Sequence, residues 1–180
     1  MRVWAVSAHL AGLPLVRLRA GGVEGLLLDL DNTLVPARST RVPLATTEFL
    51  QALADTGLRA VIVSNGSRRR SAELGALLGL PAVDRAKKPL QGGYRRALEI
   101  LGLPSQKVAA VGDQFLTDGV GGVCLGVPVF LVEPLSPTEN LLVRAARPLD
   151  RALRHLLVEA APPGACLTTT LRRSRGTSAQ

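Results

Sequence analysis

Residues 25–31 read Gly-Leu-Leu-Leu-Asp-Leu-Asp, an apolar run with no polar alternation until two acids close it. Such a run suits a strand covered on both faces, and so a central strand of a parallel sheet between helices. Four further short apolar runs follow, at 58–63, 81–84, 107–111 and 127–132. Between them, residues 43–56, 69–78 and 91–101 space their apolar side chains at helical intervals. Gly57, Gly79 and Gly102 supply the stops. A short Gly-rich helix is expected after Asp118. This alternation predicts an α/β, Rossmann-like domain: a mainly parallel five-stranded sheet between helices, joined by right-handed crossovers. A chain of 180 residues has room for one such domain and not two. We expect an N-terminal segment over 1–21, the domain over 22–158, and a disordered basic tail over 159–180. The domain includes a C-terminal helix over 140–158 that Pro148 kinks or divides.

The formal net charge is +8, carried almost wholly by arginine, with lysine only at Lys87, Lys88 and Lys107. The basic C-terminal region reads first as a solvated helix face and frayed tail; its alternative role is to attract a phosphate-bearing partner, either an anionic membrane surface or nucleic acid. With aromatics at 3% of the chain, stacking platforms for bases are few, so nucleic acid is the weaker partner. Cys124 and Cys166 form no disulfide framework and lack metal-ligand spacing, which fits a reducing cytoplasm. No apolar stretch reaches the length of a membrane span. The N-terminal residues resemble a leader but are interrupted by His9, Pro14, Arg17 and Arg19. Trp4, Leu10, Leu13 and Leu15 suit a packed edge of the domain better than a membrane-facing patch. A cytoplasmic protein is expected, with peripheral attachment to the inner face of the membrane left open.

Function is concentrated where the apolar runs end. Asp29, Asp31, Ser64, Asn65, Lys88, Asp113 and Asp118 all fall at or just past carboxyl ends of expected strands, where parallel sheets form their ligand crevice. In an extended chain Asp29 and Asp31 share a face. Like charges so close need a cation or a shared proton. With Asp113 they make a hard, oxygen-only set that suits Mg²⁺ better than zinc. Asp29 is placed to attack phosphorus, and Asp31 to protonate the leaving oxygen and later accept a proton from water. Lys88, the Ser64 hydroxyl and the Asn65 amide are placed to hold the phosphoryl oxygens.

These segments resemble the motifs of the haloacid dehalogenase-like phosphohydrolases, in the magnesium-dependent aspartyl-phosphate branch. They look closest to the YqeG-like, mitochondrial phosphatidylglycerophosphatase-related family. Asp29-Leu-Asp-Asn-Thr-Leu-Val35 matches the first motif, Val63-Ser-Asn65 the second, Ala86-Lys-Lys-Pro89 the third and Val111-Gly-Asp-Gln-Phe-Leu-Thr-Asp118 the fourth. The resemblance covers roughly residues 22–133. It implies that Asp29, the Asp31 backbone carbonyl and Asp113 hold the metal, and that Lys88 is the motif's lysine. It further implies that Thr33 supports the turn carrying the two acids, and that Asp118 acts through water or against Lys88. Phe115-Leu116 inverts the family's usual Leu-Phe, and Gly121-Gly122-Val123-Cys124 is apolar where the family has Gly-Gly-Asn.

Relatives of this kind often carry a cap domain inserted after the first or second motif. Here 34 residues lie between Asp29 and Ser64 and 23 between Ser64 and Lys88, which the expected helices and strands use up. No substantial cap is expected, so the site suits a phosphate on a large or membrane-associated substrate. The resemblance points to phosphatidylglycerophosphate. Arg38, Arg41, Arg68, Arg69 and Arg70 flank the rim and would attract an anionic surface or a second phosphate. A nucleotide or polynucleotide phosphatase is the alternative. A non-catalytic regulatory or assembly module on the same fold is another. Closure of the open site by a homo-oligomer also stays open.

Overall fold

The computed structural model describes residues 3–5, 9–136, 146, 148–150, 152–153 and 159–160. The five expected strands form one parallel sheet: β2 (Gly25–Leu28), β3 (Arg59–Val63), β4 (Ala82–Val83), β5 (Val108–Gly112) and β6 (Val129–Leu131). Two further short strands, β1 (Val3–Ala5) and β7 (Glu159–Ala160), extend it, giving the order β4-β3-β2-β5-β6-β1-β7. The N-terminal residues therefore join the sheet: Val3, Trp4 and Ala5 pair with Val129, Phe130 and Leu131. Leu10, Leu13, Leu15 and Leu18 are buried in the core, as a packed edge requires.

Each strand is apolar throughout because its alternate residues serve two cores. Leu26, Leu28, Ala60, Ile62, Ala109, Val111 and Phe130 face one side of the sheet. There they meet Leu18 of α1 (Leu15–Ala20), Phe49 and Leu53 of α2 (Leu44–Asp55) and Leu74 of α3 (Arg68–Leu78). Leu27, Val61, Val63, Val108, Ala110, Val129 and Leu131 face the other side. They pack on Tyr94, Ala97 and Leu101 of α4 (Gln91–Leu101) and on residues of α5 (Val120–Leu125). The result is three layers, with helices on both faces of the sheet.

The expected stops hold in detail. Gly79 and Gly102 cap α3 and α4 in the left-handed conformation, with φ of 67° and 61°, which a Cβ would strain. The C-terminal helix expected over 140–158 lies largely outside the described residues, of which 146, 148–150 and 152–153 are helical. Residues 161–180 of the expected tail lie outside them too.

From β2 the chain moves to β3 and β4 on one side, then crosses to β5 and β6 on the other. That reversal opens a crevice at the carboxyl ends of β2, β3 and β5. The spans 36–58 and 64–88 hold only loops, α2, α3 and β4, so no cap covers it. Among the described residues no helix is long and apolar enough to cross a membrane.

Candidate active site

The crevice is a cavity of about 330 Å³ lined by Asp29, Asp31, Ser64, Asn65, Lys88 and Arg70, among others. One oxygen each from Asp29, which lines the cavity, Asp113 and Asp118 lies within 4.8 Å of the others, and all three residues are buried. Lys88 Nζ is buried among them. It donates to Asp29 Oδ1 and, at 2.7 Å, to Asp118 Oδ1. Thr33 Oγ1 donates to Asp29 Oδ2 at 3.0 Å, fixing the rotamer of that carboxylate.

Three acidic side chains are gathered beside one ammonium in a buried, low-dielectric region, where acidic charge calls for a cation or a proton. An all-oxygen donor set with that charge fits a hard divalent cation. Burial raises the Asp29 pKa from 3.8 to about 6, with Lys88 opposing the shift and Asp118 adding to it. The group is still mostly ionised at neutral pH. Burial alone would push Lys88 toward neutrality, but Asp118 and Asp29 outweigh it and hold the ammonium above its usual range.

The sign of the Asp29 shift gives a stability prediction. Its folded pKa exceeds its unfolded one, so its contribution is full below about pH 4 and fades as pH rises through about 6. Metal-free wild-type protein should therefore lose stability over pH 4–7 relative to Asp29→Asn. The difference should be no more than about 3 kcal/mol, since each pKa unit is worth about 1.4. Paired urea titrations across that range measure it, and parallel curves for the two proteins would refute it.

Strand β2 ends at Leu28, just before the two acids, and both acids line the cavity. Asp29 N still bonds to Val111 O at 2.9 Å, but Asn32 N turns back to Val35 O at 2.7 Å. The two acids hold different partners. Arg70 Nη2 and Nε donate to Asp31 Oδ1 at 2.7 and 3.1 Å.

The second and third motifs are stitched together. Ala86 N donates to Ser64 O and Arg85 N to Gly66 O. Asn65 Nδ2 donates to Lys88 O at 3.2 Å, and Lys88 N donates to Asn65 Oδ1 at 2.7 Å. The Asn65 amide, expected on phosphate, lines the cavity and pairs with the main chain of Lys88, which it positions. Lys87, with φ of 56°, is exposed, while Lys88 is turned inward. Ser64 is buried, and its Oγ accepts from Gly66 N at 2.9 Å.

The fourth motif arrives on β5 and enters a single π-helical turn over Phe115–Gly119. Asp118 folds back on Gly112, where any Cβ would collide with its carboxyl group, so glycine is required there. Asp118 Oδ2 accepts from Gln114 N and Thr117 Oγ1, each at 3.3 Å, leaving Oδ1 to Lys88. Sequence reasoning missed Gln114 and Thr117, which also line the cavity. It missed Asp150 as well, whose Oδ1 accepts from Leu116 N in this turn at 2.8 Å. Nothing near residue 150 in the sequence signals that contact.

A haloacid dehalogenase-like hydrolase family profile matches residues 40–126. The Bacillus subtilis protein named "Probable phosphatase YqeG" is 31% identical over 137 residues, covering 76% of this chain and 80% of that protein. A chloroplastic "Phosphatidylglycerophosphate phosphatase 1" from Chlamydomonas reinhardtii is 33% identical over 128 residues, covering 66% of this chain. The match takes in 48% of that longer protein. A crystal structure of an uncharacterized Listeria monocytogenes protein aligns at a TM-score of 0.52 and 14% identity. It covers 75% of this chain and all of that one, and supports the fold alone. With the four acids, Lys88 and the relative matched over most of both lengths, the chain belongs to the haloacid dehalogenase-like hydrolase family, as a phosphomonoester-hydrolysing enzyme.

Proposed function

We propose that the chain is a Mg²⁺-dependent phosphatase acting on a lipid-linked phosphomonoester of the phosphatidylglycerophosphate type, with Asp29 as nucleophile and Asp31 as acid and base. The observation that carries the catalytic assignment is Lys88, in the lining of an uncapped cavity, bridging Asp29 and Asp118 beside Asp113. Asp29, the Asp31 carbonyl and Asp113 would hold Mg²⁺. When bound, the ion supplies charge neutralisation between nucleophile and phosphoryl group.

Asp29 Oδ attacks phosphorus, and the ester P–O bond breaks as its oxygen takes a proton from Asp31. Water then attacks the phosphorus of the aspartyl-phosphate and gives a proton to Asp31. Inorganic phosphate leaves and the Asp29 carboxylate returns. Lys88 and the Ser64 hydroxyl stabilise the phosphoryl oxygens throughout. Asn65 acts through Lys88, whose main chain it holds. Thr33 keeps Asp29 in line, and Asp118 keeps Lys88 charged and aimed.

The lipid reading is supported by the chloroplastic relative, by the open crevice and by the arginines at its rim. Phosphate release should be measured from an aryl phosphate, short-chain phosphatidylglycerophosphate and a 5′-phosphorylated oligonucleotide, with Mg²⁺ and with chelator. Chelation should remove activity and Mg²⁺ restore it, with the lipid preferred. Preference for the oligonucleotide would overturn the lipid assignment, and metal-independent release the metal assignment.

A further inference from the structure

Asp31 is not open to the cavity on all sides, because two guanidinium donors of Arg70 occupy its Oδ1. The pair is only partly buried, with side chains 22% and 36% exposed, so it is a loosely held contact that another anion can replace. Arg38 lines the same cavity from the turn that carries Asp31. That turn is fixed: Asn32 Oδ1 accepts from Ala37 N at 3.1 Å, and Arg38 itself adopts a φ of 62°. Arg70 lines it too, from the first turn of α3 behind its Ser67 cap. Lys88 and Ser64 are the more deeply buried lining residues, Lys88 on Asp29, where the phosphoryl group belongs. Arg38 and Arg70 therefore stand on the side from which the alcohol departs.

We propose that Arg70, with Arg38 in the same lining, reads a second anionic group on the leaving alcohol, and that binding it draws Arg70 off Asp31. The ligand class is a phosphomonoester whose alcohol also bears a phosphodiester. The exchange makes and breaks no covalent bond; it trades a carboxylate for a phosphodiester on one guanidinium, whose fork fits both. It also frees Asp31 Oδ1 to face the leaving oxygen. Substrates without the second anion leave Arg70 in place and are turned over more slowly. The inference rests on the roles proposed above for Asp29 and Asp31.

Binding and turnover separate its failure from theirs. In an Asp29→Asn background, adding Arg70→Gln or Arg38→Gln should weaken short-chain phosphatidylglycerophosphate or a 5′-phosphorylated dinucleotide by about 10-fold or more. Inorganic phosphate should stay within about 2-fold. The ligand that loses affinity names the source of the phosphodiester. In otherwise wild-type protein, Arg70→Gln should lower kcat/KM on that substrate by a similar factor while kcat on an aryl phosphate rises. Equal losses for all ligands, no loss for any, or a matching fall on the aryl phosphate would overturn the proposal. Absent turnover in the wild type would count against the catalytic roles, with the binding comparison still deciding this one.

Discussion

Asp29→Asn should leave a folded protein that releases phosphate at least ~10⁴-fold more slowly than wild type, near the uncatalysed background. The substitution keeps the shape and can still accept from Thr33 Oγ1, but removes the oxygen anion that forms the bond to phosphorus. Loss of a nucleophile is among the largest effects a single side chain can have, because the steps that follow have nothing to act on. Phosphate release under saturating substrate and Mg²⁺ measures it. Retention of more than about a hundredth of the wild-type rate would mean that water is activated directly and that Asp29 serves the metal alone.

Lys88→Met should damage both stability and turnover. Its ammonium lies between two buried carboxylates, so removal leaves Asp29 and Asp118 facing each other without their shared partner. Breaking a buried ion pair from one side costs about 3–5 kcal/mol. Turnover should fall ~10²–10³-fold, the scale of losing one preorganised charge at a developing anion. Urea unfolding without metal gives the first quantity and steady-state rates the second. Added Mg²⁺ should return part of the stability but not the rate. An unfolding midpoint unchanged from wild type would show that the two acids share a proton and that Lys88 does not neutralise them.

The sequence announces the parts of this enzyme better than their joints. Helix stops at Gly57, Gly79 and Gly102 and the strand ends bearing Asp29, Ser64 and Asp113 are local matters of backbone conformation and burial, so they are legible in order along the chain. Strands β1 and β7 are three and two residues long and exist through pairing with distant neighbours, which no periodicity in so short a segment can signal. The turn just past Asp31, where Asn32 takes a left-handed φ of 66° and its N–H bonds Val35 O, is likewise not announced by Asp-Leu-Asp. Asn65 lines the cavity, and its amide also pairs with the backbone of Lys88, 23 positions along the chain, a contact that its place in the sequence does not signal. Arg70 stands out in the sequence as charge, within the run Arg68–Arg70, but nothing there marks which of the three turns inward to Asp31.

The hydrogen bonds tying residues 64–66 to 85–88 divide the cavity into two regimes. The inner wall is clipped main chain to main chain and side chain to main chain, so it exists in finished form before any ligand arrives. The mouth is held by one half-exposed ion pair and an exposed arginine. A ligand thus meets a rigid mould for the group that is the same in every phosphomonoester and a pliable collar for the group that differs. Little ordering entropy is lost at the first, and under the proposal made above discrimination falls to the second. Diversification of such a catalyst toward new alcohols can proceed at the collar without disturbing the mould.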